Sequence, residues 1–342
     1  RQYDKVCIFF VILLWGIGMS ALLFCAENSA QRIFGDPFYF VKRQLVSSVA
    51  GFILFIVFAT VNMKTIRRTL PVFVMGVLFL CLLAFVPGIG IEKKGAVRWI
   101  RLPFISSFQP SEFVKFAVVL YLANLFDKQA CIVDPHERSV FPAVLGLVVF
   151  VTVVFMQKDF STGIFVFSVG VVLFFVTGAK LSWLIPFSML AIPVTFLMIA
   201  LEPYRMNRLI AFLRPSEDLQ GINYQSFAAH RAINAGGFWG RGIGSNLTKL
   251  NGIPEIQADY IFAGWAEATG FLGVLLYFAL LVSFVVCAYR IALTCKNRFG
   301  AIGAFGCATV IFVQSLLNCA VVGGVVPNTG INLPFFSSGG SA

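Results

Sequence analysis

Continuous apolar runs recur along the chain at 6–26, 44–61, 70–87, 111–126, 141–156, 162–179, 181–201, 260–289 and 300–324. A hydrocarbon core of ~30 Å takes roughly 20 residues of helix, so each run predicts a transmembrane helix. None alternates with a period of two, which excludes a membrane barrel; closed helices satisfy every backbone group in lipid. The predicted class is all-α, a polytopic integral membrane bundle with nine transmembrane helices visible. The run from Val6 to Ala26 is too long for a signal-peptide core and has no small-residue cleavage site, so it predicts a retained helix. The chain starts at Arg1 without a Met, which reads as a missing tip. The tail 325–342, with Pro327, Pro334 and a Ser/Gly cluster, reads as a loop before a further helix.

One segment breaks the apolar pattern. Residues 202–259 are polar, glycine-rich and basic, and they deliver Asp259 to the mouth of the next span. A long loop in a compact protein is usually functional or disordered. Leu209 to Leu213 and Gln225 to Ile233 predict short amphipathic helices at the membrane interface. The glycines at 236, 237, 240, 242 and 244 predict irregular backbone after them. The run from Gly240 to Gly244 follows no strand and is not a dinucleotide fingerprint, but its backbone N–H groups are a candidate anion nest.

Composition removes the soluble alternatives: 59% of the residues are hydrophobic and only 12% charged. Charge sets the orientation. Lys64, Arg67 and Arg68 fill one short loop, Arg290, Lys296 and Arg298 another, and Arg1 with Lys5 flank the first span, so this side is assigned to the cytoplasm. The outer face then carries 27–43, 88–110, 157–161, 202–259 and 325–342. The net charge is +11, and the basic residues of 88–110 and 202–259 suit a phosphate-bearing ligand; nothing points to nucleic acid. The eight cysteines show neither a CxxC pair nor metal-finger spacing, and His136 and His230 fall on opposite sides, so no metal site is predicted.

A charge at a helix centre costs about 2.5–3.5 kcal/mol on insertion scales, so each one is a candidate. Glu112 and Lys115 share a helix face and read either as a pair locking helices or as part of a ligand cavity. Asp159 lies in the short connection Gln157 to Thr162, where it is a helix cap or a site residue. Glu267 is two turns along from Asp259, either deeper in the same cavity or bonded to a neighbouring helix. Asp259 itself could serve as an N-cap, though a cap does not account for the whole preceding insertion. Trp99, beside Arg98 and Arg101, is an interface anchor or a platform for a sugar face.

Several stretches taken in order resemble one family. They are Gly95 to Ile100, Phe108 to Lys115, Gln157 to Thr162, Pro203-Tyr204-Arg205, Phe212 to Pro215, Gly236 to Leu250, Pro254-Glu255 with Asp259 to Ala263, and Pro327 to Ser341. Together they are similar to the SEDS family (shape, elongation, division and sporulation proteins), ten-helix membrane polymerases of peptidoglycan. The resemblance covers 1–342 as one domain and leans to the division members through Gly242 to Asn246 and Lys249-Leu250.

The resemblance implies a peptidoglycan glycosyltransferase that polymerises lipid II, a disaccharide-peptide on undecaprenyl pyrophosphate, at the outer face of the bacterial cytoplasmic membrane. It implies Asp259 as general base and a class B penicillin-binding protein as partner, in contact with membrane lipids. Candidate substrate contacts are Arg98, Trp99, Arg101, Glu112, Lys115, Asp159, Arg205, Arg208, Arg214, Lys249, Glu255, Glu267 and Ser337. No cofactor follows firmly; a divalent cation, Mg or Mn, is a candidate, with Asp159 or Glu255 as ligands. The chain departs from the family pattern at Gln257-Ala258, where His-Thr is usual, at Lys158, where Pro is usual, and at Ala228, Ala268 and Ser338. A lipid II flippase and a noncatalytic scaffold for the penicillin-binding protein are the alternatives.

Overall fold

The computed structural model describes residues 2–93, 96–102, 105–132, 139–200, 203–214, 223–242, 253 and 255–338. Its helices are α1 (Gln2–Phe34), α2 (Tyr39–Thr60), α3 (Met63–Leu83), α4 (Ser111–Ala130), α5 (Phe141–Met156), α6 (Phe160–Thr177), α7 (Ile185–Ala200), α8 (Pro203–Leu213), α9 (Tyr224–Gly236), α10 (Ile261–Thr294) and α11 (Arg298–Val322). Each predicted apolar run lies mostly on a helix, the third overrunning the end of α3 and the seventh beginning before α7. Six of these helices, α1, α2, α3, α6, α10 and α11, are long and apolar enough to cross a membrane. The helix α4 is long enough but carries Glu112, Lys115, Asp127 and Lys128.

Two boundaries differ from the sequence reading. The segment 88–110, read as a loop, holds a three-stranded antiparallel sheet of β1 (Gly90–Lys93), β2 (Ala96–Leu102) and β3 (Ile105–Phe108), so the fold is mostly rather than purely helical. Strands this short leave almost no alternation to detect beside much longer apolar runs. The helix α1 continues through the polar stretch 27–34, which contains neither Pro nor Gly, and stops at Gly35, whose φ is 71°.

Hydroxyls in the apolar helices are satisfied by carbonyls four residues earlier: Ser168 donates to Ile164 O, Thr177 to Leu173 O and Ser188 to Leu184 O. Caps follow the expected chemistry, with Asn62 accepting from Lys64 N at 3.0 Å and Asn297 from Gly300 N at 3.3 Å.

The interior divides into two apolar clusters. One gathers α1, α9 and α10 around Leu14, Tyr260, Tyr277 and Phe336; the other gathers α3 to α6 around Leu122, Phe150, Phe165 and Phe174, and α11 contributes to both. The segment 323–338 crosses their seam, placing Ile331 in the second cluster and Leu333 and Phe336 in the first. This strap lies close against α1: a Cβ on Gly18 would stand 2.1 Å from Phe335 O.

The glycine-rich run has a structural use. At Gly270 (φ 64°, ψ −163°) α10 breaks, which strands backbone groups where lipid offers no partner. Residues 237–242 supply them: Arg241 N donates to Glu267 O and Gly242 N to Ala268 O, both at 3.0 Å, while Phe271 N donates to Gly237 O at 2.9 Å. The predicted anion nest therefore loses the N–H groups of 241 and 242, and 243–244 lie outside the described residues. Such close approach requires glycine, since a Cβ on Gly240 (φ 81°) would stand 2.3 Å from Ala268 O. Gly240→Ala is expected to lower stability by about 1–3 kcal/mol, measured as thermal unfolding in detergent. The predicted amphipathic helices correspond to α8 and α9. The second is not simply laid on the interface, because it buries Ala229, Ala232 and Gly236 against α10.

Candidate functional site

The site lies at the end of the bundle where the sheet, the start of α6, the start of α10 and the strap converge. Asp159 caps α6, accepting from Thr162 N at 3.5 Å, yet it does more than cap. Its Oδ1 accepts from Arg98 Nη1 at 2.9 Å, and its Oδ2 accepts from Gln109 Nε2 at 2.8 Å and Ser111 Oγ at 3.0 Å. The carboxylate is 1% exposed, so these charge-assisted bonds fix β2 and the start of α4 to α6.

Asp259 ends the turn 255–259, which opens with Glu255 at φ 55°. Three successive carbonyls of that turn are held from the strap side. Ser338 N donates to Gln257 O at 2.6 Å, Ser337 Oγ to Ala258 O at 2.5 Å, and Asn318 Nδ2 of α11 to Asp259 O at 2.9 Å. The carboxylate side faces Gly330, where a Cβ would stand 3.6 Å from Asp259 Oδ2.

Beside Asp159 opens a cavity of about 440 Å³. Arg98, Lys158 and Arg208 contribute positive charge, while Ile164, Phe165, Val313 and Leu317 form apolar walls. Strap residues Asn328, Thr329 and Ile331 complete it, so it ends one residue from the glycine that abuts Asp259. Arg98 Nε and Thr329 Oγ1 are buried without a hydrogen-bond partner among the described residues, which leaves polar groups for a ligand to satisfy. Asn328 ties the rim together: its carbonyl accepts from Arg208 Nη1 at 3.1 Å, and its Nδ2 donates to Tyr260 OH at 3.0 Å.

Comparison with known proteins settles the lineage. Residues 5–342 match a family model described as "Cell cycle protein", that of FtsW, RodA and SpoVE. The chain belongs to the FtsW/RodA/SpoVE family. It is 34% identical to a probable peptidoglycan glycosyltransferase FtsW of Geobacter sp. (strain M18), over 99% of this chain and 92% of that protein. It is 32% identical to stage V sporulation protein E of Bacillus subtilis (strain 168), over 99% and 92%. Among solved structures it superposes on a chain of a peptidoglycan synthase complex described as coordinating polymerization and crosslinking, with TM-score 0.77, 25% identity and coverage of 99% and 93%. The rod shape determining protein RodA of Thermus thermophilus shares the fold, at TM-score 0.68, 23% identity and coverage of 99% and 91%. With its several apolar helices, this FtsW/RodA/SpoVE member is a multi-pass membrane protein.

The remaining sequence candidates disperse around this centre. Glu112 and Lys115 form a buried pair, Lys115 Nζ lying 2.8 and 2.9 Å from the two Glu112 oxygens, 2.9 Å from Gln314 Oε1 and 5.1 Å from the Phe165 ring centre. Trp99 is half-buried on β2 opposite Ile91. Glu267 is fully buried on α10 just before the Gly270 break. Arg214 is exposed beyond α8, and its carbonyl accepts from Asn223 Nδ2 at 3.1 Å. Arg101 lies on β2 and Arg205 on α8, with side chains outside the description; Lys249 lies outside the described residues altogether. Ser337 is fully buried, its hydroxyl also accepting from Leu333 N at 2.8 Å, so it buckles the strap to the turn.

The sequence reading missed Lys158, Gln109, Ser111, Asn318 and Asn328 as individual contributors. Gln109 and Ser111 stood inside a quoted stretch, and Asn318 was legible as an amide in an apolar helix.

Lys158, where the family pattern usually has Pro, adopts φ 60° and donates its N–H to Phe155 O at 2.8 Å. A proline ring fixes φ near −65° and has no N–H. Lys158→Pro is therefore expected to destabilise this chain by more than about 1 kcal/mol rather than to restore a family trait, read as a lower unfolding temperature.

Proposed function

We propose that this chain is a peptidoglycan glycosyltransferase that polymerises lipid II at the outer face of the bacterial cytoplasmic membrane, in cell division, together with a class B penicillin-binding protein. The observation that carries the proposal is the cation-rimmed, apolar-walled cavity whose strap residues Thr329 and Ile331 flank the glycine that faces Asp259. Its charge suits a pyrophosphate and its walls suit the first isoprene units of a lipid.

Asp259 acts as general base. The acceptor 4-hydroxyl attacks the donor's anomeric carbon with inversion, its proton passes to the Asp259 carboxylate, and the bond to the pyrophosphate breaks with its electrons on the leaving oxygen. Arg98, Lys158 and Arg208 offset the charge that develops there. Asp159 does not fit as a ligand for a divalent cation, because both its oxygens are engaged by Arg98, Gln109 and Ser111; no group of three or more His, Cys, Asp or Glu gathers among the described residues.

A flippase moves lipid II between leaflets and forms no glycosidic bond, so detergent micelles separate the two readings. With lipid II and the partner transpeptidase in micelles, a ladder of glycan chains is expected. Translocation in vesicles by the same complex, with no ladder in micelles, would overturn the proposal.

A further inference from the structure

We infer that Asn318 is a positioning residue for Asp259, an inference that rests on the general-base role proposed above. Asn318 lies on α11, 1% exposed, and its Nδ2 donates to two carbonyls, Asp259 O at 2.9 Å and Ile331 O at 2.8 Å. The first belongs to the turn that presents the carboxylate; the second belongs to the strap that closes the cavity beside it.

Neither carbonyl sits within a helix or sheet ladder, so each depends on a side chain or on water. A primary amide has the two hydrogens that this requires. The opposite amide orientation would turn Asn318 Oδ1 towards two carbonyl oxygens, so the orientation is fixed by repulsion as well as by bonding. Oδ1 is buried with no partner among the described residues, so the side chain is held by its donors alone.

The consequence is a fixed distance between base and cavity. Asn318 pins the main chain at 259 and at 331 to the same point on α11, and Gly330 between Thr329 and Ile331 abuts the Asp259 carboxylate. Ser337, on the strap itself, adds a direct bond from strap to turn one residue earlier, at Ala258 O. Without Asn318 the Ser337 and Ser338 bonds still join strap and turn, but the carbonyls at 259 and 331 lose their common anchor on α11 and can shift relative to it. A displacement of about 1 Å is enough to cost ~100-fold in rate. Arg98 and Lys158, which lie on β2 and before α6 rather than on the strap, hold the pyrophosphate in place, so the bound lipid keeps most of its affinity.

The test compares Asn318→Leu, which keeps the approximate shape and removes both bonds, with wild type in complex with the partner transpeptidase. Initial rates of lipid II polymerisation are measured across lipid II concentration, with thermal unfolding alongside. The expected result is a fall in kcat of tenfold or more with KM changed by less than about twofold. A folded Asn318→Leu with wild-type kcat, or with a loss confined to KM, overturns the inference. If Asn318→Leu does not fold, Asn318→Ser decides, since its hydroxyl can donate to only one of the two carbonyls: a severalfold lower kcat at little-changed KM supports the inference, and an unchanged kcat overturns it. Asp259→Asn in the same assay separates the two claims. Wild-type turnover there removes the base itself, whereas an inactive Asp259→Asn beside a fully active Asn318→Leu removes only the positioning.

Discussion

Lys115→Met should lower stability by about 3–5 kcal/mol, the cost of leaving a buried partner charge uncompensated. Lys115 is 1% exposed, and its ammonium spends its donors on both Glu112 oxygens and on Gln314 Oε1. Gln314 in turn donates Nε2 to Asn332 O at 3.0 Å, so the pair braces the strap as well as α4. Both a lower unfolding temperature and a loss of lipid II turnover are expected. The charge swap Glu112→Lys with Lys115→Glu keeps opposite signs three residues apart but cannot donate to Gln314 from position 115. It should recover part of the stability and leave turnover below wild type. Full recovery of both would reduce the pair to a simple lock between helices.

The helical part of this architecture was legible because 20-residue apolar runs are hard to produce by chance; each predicted run lies mostly on helix, and six of the nine lie on helices long and apolar enough to cross a membrane. The sheet at 90–108 was not legible, since its strands are short and the close approach of β2 to α6 depends on Arg98 finding Asp159 across the fold. Asp259 stood out because it ends a polar insertion, and Arg98, Asp159 and Arg208 were legible as charges near span ends. What no sequence pattern exposes is their grouping, because the strap joins the two clusters together with α11 and is held by hydrogen bonds between its own main chain or side chains and residues far away in sequence. The glycine run illustrates the same limit: its composition suggested an anion nest, while its use is to satisfy a broken helix. Two departures from the family pattern, Gln257 and Ser338, prove to be in contact through Ser338 N and Gln257 O, which places them in one strap-to-turn joint.

Asp259→Asn should reduce polymerisation by roughly 100- to 10,000-fold, the usual contribution of a positioned proton acceptor. Asparagine keeps the size of the side chain and cannot accept the proton of the attacking hydroxyl. The turn itself should survive, because it is held by its main-chain carbonyls at 257, 258 and 259 rather than by the carboxylate. An unchanged unfolding temperature would confirm that the loss is chemical. The most direct measurement is the glycan-chain ladder formed from lipid II by the complex with its partner transpeptidase, wild type against Asp259→Asn at equal folded protein. A ladder from wild type and none from the variant is the expected result; a wild-type ladder from Asp259→Asn would contradict the assignment of this carboxylate as the base.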